Sequence, residues 1–179
     1  MIYFVTSNKG KFAEAKEIFG GLVQKNIGYP ELQADTLEEV VTFGLVDVTA
    51  RLKGPVIIED AGLFVDGLKG FPGVYSAYVQ KTIGNPGILK LMEGVEGRSA
   101  YFASVVGYAE PGMEPVTFRG EMRGTIGFDA RGTMGFGYDP IFYLGDKSLA
   151  QIGIEEKNKV SHRGQSMRAL KEWIGNRHS

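Results

Sequence analysis

The chain has 179 residues, and hydrophobic residues make up 43% of it, which is enough apolar material for the core of one domain. Glycine, with 26 residues, is about twice as frequent as usual, but it follows no collagen-like period and no low-complexity run, so fibrous and disordered classes are excluded. The absence of cysteine excludes disulfides and thiolate metal sites, and a formal net charge of −1 does not indicate a general nucleic-acid binder.

The first third of the chain alternates between strand and helix patterns. Short apolar runs predict strands, and apolar residues at helical spacing predict helices; the second helix begins with a capping box formed by Thr36 and Glu39. The predicted elements are a strand at Ile2–Thr6, a helix that contains Phe12–Phe19, a strand at Leu22–Tyr29, a helix that reaches about Lys53 and a strand at Val56–Glu59.

The rest of the chain adds a hairpin and two further helices. Alternating side chains predict two long strands joined by a turn at Pro111-Gly112. The predicted elements are a helix at Asn85–Glu93, strands at Ser99–Glu110 and Val116–Ile126, a glycine-rich loop at Gly127–Pro140 and a helix at His162–Ile174. This order predicts an α/β fold with one mixed sheet, and the chain from 1 to 179 is expected to form a single domain or two small lobes that share a core.

The N-terminus does not resemble a signal peptide, because a short apolar run passes directly into a polar segment. The longest nearly apolar stretch, Ala100–Ala109, is interrupted by Ser104 and is too short to span a bilayer. Together with the absence of cysteine, these features predict a cytoplasmic protein without a membrane partner.

The first candidate site is the polar turn between the first strand and the first helix, from Ser7 to Lys11. Amides at a helix N-terminus attract phosphate, and Lys9 or Lys11 would add positive charge. The Walker A pattern and the GxGxxG pattern are both absent. The residues alone therefore leave open a phosphate-binding turn and an ordinary polar turn.

The second candidate is the acidic pair Glu59-Asp60 at the end of the predicted strand. Ligands of α/β sheets bind at such strand ends, where a carboxylate can hold Mg²⁺ or deprotonate a water molecule. The alternative is a turn aspartate that precedes Gly62. Glu31, which follows Pro30, is a second candidate metal ligand or an exposed loop acid.

The third candidate is the segment Gly135–Pro140, in which two glycines flank Phe136 and Tyr138-Asp139 follows. Glycines let backbone approach a flat ligand closely, a base can stack on either aromatic ring, and Asp139 can read the edge of the base. The alternative is a glycine-rich turn with core aromatics.

The fourth candidate lies at the basic C-terminal end of the chain. Between Lys157 and Arg177 there are six basic residues and a single acid, Glu172. Lys157, His162 and Arg163 cluster at the start of the last predicted helix, where cations are disfavoured by the helix dipole unless an anion neutralises them. Two interpretations remain open: a solvated basic helix, or a basic wall that faces an anion opposite an acidic, metal-holding wall.

Taken together and in order, these segments resemble the inosine triphosphate pyrophosphatase family, and the matching motifs span nearly the whole chain. The motifs are Thr6-x-Asn8-x-x-Lys11, Glu59-Asp60-x-Gly62-Leu63, Gly70-Phe71-Pro72-Gly73-x-Tyr75-Ser76, Phe136-Gly137-Tyr138-Asp139-Pro140, and Glu156-Lys157 with Ser161-His162-Arg163-Gly164.

The resemblance implies a mixed twisted sheet with flanking helices, two lobes around a central cleft, and a homodimer. It further implies Mg²⁺-dependent hydrolysis of non-standard purine nucleoside triphosphates (ITP, dITP and XTP) to the monophosphate and pyrophosphate. Asp60 would be the general base, a metal ligand or both, and Glu31 would be a second metal ligand. The implied substrate-binding residues are Thr6, Ser7, Asn8, Lys9, Gly10, Lys11, Ala61, Phe136, Gly137, Tyr138, Asp139, Lys157, His162 and Arg163.

Two positions differ from the family pattern. Many members carry a lysine sixteen positions before the motif aspartate, where this chain has Gly44, and many have Ser or Thr where this chain has Ala61. Two alternatives stand beside the main hypothesis. One is a pyrophosphatase of the Maf-like group, which has a similar architecture and acts on other modified nucleotides; the other is a non-catalytic nucleotide-binding protein, which Gly44 favours.

Overall fold

A computed structural model of the chain describes residues 1–30 and 32–177. Seven strands and six α-helices, together with short 3₁₀ turns, make up the described part of the chain. The elements are β1 (Ile2–Val5), α1 (Lys9–Phe19), β2 (Leu22–Lys25), α2 (Leu37–Leu52), β3 (Val56–Val65), α3 (Ser76–Thr82), α4 (Gly84–Leu91), β4 (Ser99–Ala109), β5 (Val116–Ile126), β6 (Phe142–Leu144), β7 (Lys147–Ser148), α5 (Ile154–Val160) and α6 (His162–Arg177).

All seven strands form one sheet in the order β2-β1-β3-β4-β5-β6-β7. The pairs β1·β2 and β1·β3 are parallel, because helices α1 and α2 connect these strands as crossovers. The remaining pairs, from β3·β4 to β6·β7, are antiparallel. The predicted mixed α/β sheet with flanking helices is confirmed.

Strand β3 is longer than predicted, and the prediction that it ends at Glu59 is wrong. Its parallel pairing with β1 stops at Ile57, but its antiparallel pairing with β4 continues to Val65. The chain therefore needs no turn at Gly62. Glu59 and Asp60 still lie just beyond the carboxyl end of β1, where the parallel part of the sheet ends and where ligands bind in α/β folds.

Helices cover both faces of the sheet. On one face, α2 buries Val41, Leu45 and Val48 in a cluster with residues of β3 and β4. On the other face, α1 and α6 pack on the sheet, and the predicted inward residues Met167 and Leu170 of α6 are fully buried. The predicted capping box is present at the start of α2, since Thr36 and Glu39 bond each other's backbone amides. In residues 1–30 and 32–177 no helix has the length and apolar character needed to cross a membrane.

Candidate active site

A buried carboxylate, that of Glu59, joins three elements of the fold. Its Oε2 lies 2.9 Å from Nζ of Lys11 on α1, and its Oε1 lies 3.1 Å from Nε of Arg163 on α6. Ser104 of β4 donates a further hydrogen bond of 2.7 Å to Oε1. Burial would raise the pKa of Glu59, but the positive charges of Arg163 and Lys11 outweigh it and lower the pKa to about 2. Glu59 is therefore an ionised anchor for the two cations.

A second buried carboxylate, Glu14 of α1, extends this network. Its Oε1 lies 2.6 Å from Nζ of Lys157, and its Oε2 is paired with Nη1 of Arg163. Lys157 also reaches Oδ2 of Asp139 at 2.7 Å. Although burial opposes it, the charges of Arg163 and Lys157 lower the pKa of Glu14. Glu14 was not predicted as a site residue, although its position three residues after Lys11 places both side chains on one face of α1.

These contacts change the interpretation of the basic C-terminal region. Lys157 and Arg163 are each only 3% exposed and are neutralised by acids from α1, β3 and the Gly135–Pro140 segment. Further along α6, Arg168 and Lys171 donate to backbone carbonyls at the ends of α5 and α1, at 2.6 Å each. The region is thus an alternating network of charges rather than a wall of free cations.

The Phe136 ring brings the first and third candidate segments together. Its centroid lies 4.8 Å from Nζ of Lys157 and 5.5 Å from Cζ of Arg163, within the range of cation–π interactions. The ring also packs on the first turn of α1, where a Cβ added to Gly10 would lie 2.6 Å from Cε1 of Phe136. The backbone amide of Phe136 donates to Asp139 at 2.9 Å, so the carboxylate that holds Lys157 also shapes this turn.

Tyr138 and Gly137 are anchors of the same segment. Tyr138 is buried, and its hydroxyl donates to the carbonyl of Ser76 at 2.6 Å. The Gly137 carbonyl accepts a hydrogen bond of 2.9 Å from Asn85. Of the two aromatic rings predicted to stack on a base, Phe136 is therefore the more accessible one.

His162 is buried between the sheet and the cationic network. Its ring stacks on Phe102 with centroids 4.7 Å apart, and it is 3% exposed. Burial, and then the charge of Arg163, lowers the pKa of His162 well below its ordinary value, so the imidazole is neutral. In the described part of the chain no group hydrogen-bonds to its Nδ1.

The turn before α1 has the form that the sequence predicted. Asn8 caps the helix by accepting a hydrogen bond of 3.0 Å from the Lys11 amide, and its own amide donates to Thr6 at 3.1 Å. Ser7, Asn8 and Lys9 are exposed. The turn thus presents a helix N-terminus and a lysine side chain to solvent, beside the buried Lys11–Glu59 pair.

Asp60 differs from Glu59 in surroundings and in charge. It is partly exposed, and its Oδ1 accepts a hydrogen bond of 2.9 Å from the amide of Ala61. Burial raises the pKa of Asp60 despite the opposing charge of Lys11. Residues 1–30 and 32–177 contain no group of three or more His, Cys, Asp or Glu side chains that could hold a metal ion, and Glu31 lies outside the described residues. Asp60 is therefore a partly exposed carboxylate beside the end of the parallel part of the sheet.

The profile of the Ham1 family matches residues 2–173. The chain belongs to the Ham1 family. A protein named dITP/XTP pyrophosphatase from Methanopyrus kandleri is 52% identical to it, over 98% of this chain and 96% of the relative. A protein of the same name from Pyrococcus horikoshii is 50% identical, over 97% of this chain and 96% of the relative. The solved structure of the Staphylococcus aureus Ham1 protein is 29% identical, with a TM-score of 0.85 over 99% of this chain and all of that one. The predicted family is confirmed.

In this Ham1-family chain, close packing accounts for Gly44. The residue is buried in α2, where an added Cβ would lie 2.9 Å from Cδ2 of Tyr29 and 3.1 Å from Cδ1 of Ile58. The Tyr29 ring thus covers the position at which many members carry a lysine. Any side chain at Gly44 would have to displace this ring.

Proposed function

We propose that this chain hydrolyses ITP, dITP and XTP to the monophosphate and pyrophosphate, and so removes non-standard purine nucleotides from the pool. The predicted enzyme class, a nucleoside triphosphate pyrophosphatase, is confirmed. Relatives that are about 50% identical to this chain are named dITP/XTP pyrophosphatase. The observation that carries the proposal for this chain is the convergence of four separate motifs on one charge network. The motif residues of this network are joined by direct ion pairs or through their shared partner Glu14. They are Lys11, Glu59, Asp139, Lys157 and Arg163.

The phosphates would bind at the turn from Thr6 to Lys11. This turn leads into a helix of 11 residues, whose N-terminal dipole favours negative charge. Lys9 is exposed, and Lys11 is partly exposed beside Glu59. Both lysines would neutralise charge that develops on the leaving pyrophosphate.

Asp60 would act as the general base or as a ligand of Mg²⁺. A pKa raised by burial suits a carboxylate that must accept a proton near neutral pH. Magnesium is commonly held by one or two carboxylates together with substrate phosphates, so the single Asp60 and, as a proposal, Glu31 would suffice. When bound, Mg²⁺ would neutralise charge on the transferring and leaving phosphates.

The base would stack on Phe136 beside Asp139, Lys157, His162 and Arg163. Hypoxanthine and xanthine carry an oxygen acceptor at position 6, where adenine carries an amine donor. A site that donates a hydrogen bond to this oxygen rejects adenine, because the donor of the site would then face the adenine amine and have no acceptor. The carboxylates of Glu14 and Glu59 hold the guanidinium of Arg163 in one orientation, which is what a selective donor requires.

We further propose that the chain acts as one two-lobed domain in a cytoplasmic homodimer. Support for a dimer comes from two exposed aromatic side chains about one helical turn apart, Tyr75 at the N-cap of α3 with 48% exposure and Tyr78 within α3 with 69% exposure. The net charge of −1 argues against a nucleic-acid partner.

Pyrophosphate release from ITP, dITP, XTP, GTP and ATP, each with Mg²⁺ and with EDTA, tests the proposal. We expect turnover of the first three nucleotides, little turnover of ATP, whose 6-amine cannot accept the hydrogen bond, and loss of activity in EDTA. Equal rates on all five would contradict the selectivity. Tight ITP binding without turnover would instead identify a non-catalytic nucleotide-binding protein. No turnover of ITP, dITP or XTP, together with turnover of other modified nucleotides in a second panel, would identify a Maf-like activity.

A further inference from the structure

Two serines lie fully buried behind the charge network. Ser104 stands in the middle of β4, with Ala103 and Val105 on either side, and Ser166 stands in α6; both are 0% exposed. The Ser104 hydroxyl lies 2.7 Å from Oε1 of Glu59 and 3.0 Å from the hydroxyl of Ser166. A hydroxyl group in such apolar surroundings is costly unless it is hydrogen-bonded, and this pair is satisfied through Glu59.

The direction of these hydrogen bonds follows from the protons available, because each serine hydroxyl has one proton and the ionised Glu59 carboxylate has none. An ionised carboxylate only accepts, so the single hydroxyl proton of Ser104 points to Glu59. Because that proton is committed to Glu59, the contact between the two serines is a hydrogen bond only when Ser166 donates. The carbonyl of Arg163, at 3.2 Å, is the alternative acceptor for the same Ser166 proton. The hydroxyls form a series from Ser166 through Ser104 to Glu59.

We propose that Ser104 and Ser166 are positioning residues that fix the Glu59 carboxylate and, through it, the Lys11 ammonium group. This inference rests on the proposed function, in which Lys11 contacts phosphate. Three donors from α1, β4 and α6 approach Glu59, and without Ser104 its orientation would depend on the two cations alone. The Lys11 side chain is 18% exposed, whereas those of Glu59 and Arg163 are 0% and 3% exposed, so Lys11 is where this group of side chains meets a ligand.

The effect on catalysis would arise from geometry rather than from charge. Removal of the Ser104 hydroxyl leaves Glu59 with both of its ion-paired cations, Lys11 and Arg163. Removal of the Ser104 hydroxyl would instead let the carboxylate rotate and carry Lys11 with it. Small misplacements of groups that stabilise a transition state lower kcat strongly.

The test compares Ser104→Ala, Ser166→Ala and the double variant in steady-state pyrophosphate release from ITP. Val48→Ala serves as the stability-matched control, because Val48 is fully buried in the cluster between α2 and the sheet. We expect Ser104→Ala to lower kcat about tenfold, the size of one hydrogen bond to a charged group, with a smaller change in KM. Ser166→Ala should have a smaller effect, and the double variant should match Ser104→Ala because the two hydroxyls act in series.

A kcat of Ser104→Ala equal to that of Val48→Ala would overturn the inference, as would additive losses in the double variant. If Ser104→Ala does not fold, Ser166→Ala keeps the test open, because it removes the donor without touching Glu59. A wild-type protein that releases no pyrophosphate would refute the proposed function alone. The crystal structure of a serine variant then decides the inference: displacement of Glu59 from Lys11 supports it, and unchanged ion pairs overturn it.

Discussion

Glu59 and Asp60 are consecutive residues of β3, and their side chains therefore point to opposite faces of the sheet. Glu59 shares a face with Ser104 and the helices α1 and α6, whereas Asp60 shares a face with Ile58 and the helix α2. The pKa of Glu59 is lowered to about 2 by the cations around it, and the pKa of Asp60 is raised by burial. Such a pair of carboxylates with diverging pKa values can divide anchoring and proton transfer between them.

Replacement of Asp60 by Asn should abolish turnover while the protein becomes more stable at neutral pH. A folded-state pKa that is raised by burial means that the native protein binds the proton more tightly than the unfolded chain, so ionised Asp60 lowers stability above its pKa. Asn removes this penalty and keeps an oxygen for the Ala61 amide. Pyrophosphate release should fall at least about 10²-fold. Urea unfolding at pH 7 should show a higher midpoint than wild type.

The matched control for this variant is Asp66→Asn, an exposed aspartate in the turn after β3, which should change neither property. A near-normal rate in Asp60→Asn would remove Asp60 from the mechanism. A lower unfolding midpoint would contradict the electrostatic argument.

The pH profile of kcat/KM should show the ionisation of Asp60 and not that of Glu59. A general base must be deprotonated, so kcat/KM should rise with pH through the Asp60 pKa, which burial places above the ordinary aspartate value of about 3.9. Glu59, with a pKa of about 2, is ionised throughout this range and adds no inflection. Initial rates of pyrophosphate release from pH 4 upward, over about four units, test this. A kcat/KM that does not rise with pH from pH 4 upward would be incompatible with Asp60 as the base.

Replacement of Glu59 by Gln should destabilise the protein by about 3 kcal/mol at pH 7, at the low end for a broken buried ion pair, because buried Arg163 keeps Glu14 and partly exposed Lys11 can reach solvent. The stabilisation exists because the folded-state pKa lies below the ordinary value, so it is complete above the ordinary glutamate pKa and is lost as pH falls toward 2. The difference from wild type in urea unfolding should therefore shrink between pH 7 and pH 3.

Glu38→Gln is the control for Glu59→Gln. Glu38 pairs with Arg119 through side chains that are each 38% exposed, and such pairs contribute at most about 1 kcal/mol. Equal stability losses for the two variants, or a Glu59→Gln loss that does not depend on pH, would show that Glu59 is not the buried anchor.

Replacement of Gly10 by Ala should raise KM for ITP about tenfold, since the added Cβ would lie 2.6 Å from Cε1 of Phe136 and push the ring from its position over Lys157. Misplacement of one positioning group by about 1 Å has effects of this order or larger. Gly21→Ala is the control, because no atom lies within 4 Å of its added Cβ. An unchanged KM in Gly10→Ala would mean that the base does not stack on Phe136 as placed.

The sequence predicted the elements whose signals are local, and it missed those that depend on distant partners. The capping box at Thr36 and the alternation in Val116–Ile126 are read from neighbouring residues, and both predictions are confirmed. The continuation of β3 past Asp60 depends on pairing with β4, so it could not be read from the Asp-Ala-Gly run. Short elements carry little periodicity, and four such elements were not predicted: α3, α5, β6 and β7.

The same distinction applies to the candidate site. Motif order identified Lys11, Asp139, Lys157 and Arg163, but not their pairing, because the ion pairs join residues far apart in the chain. Glu14 belongs to none of the family motifs, yet its carboxylate pairs with both Lys157 and Arg163. Its only local signal is the shared helix face with Lys11.

Replacement of Gly44 by Ala should lower the free energy of unfolding by about 1 kcal/mol, although alanine favours helices by about 0.5–1 kcal/mol over glycine. Overpacking of a filled core costs about 1–3 kcal/mol, and the added Cβ would lie 2.9 Å from the Tyr29 ring. Urea unfolding of Gly44→Ala in the wild-type and Tyr29→Ala backgrounds tests the cause. With the ring removed, the substitution should become neutral or stabilising, because the next nearest atom is the flexible end of Ile58, Cδ1, at 3.1 Å. The same loss in both backgrounds would mean that a contact other than Tyr29 excludes a side chain from this position.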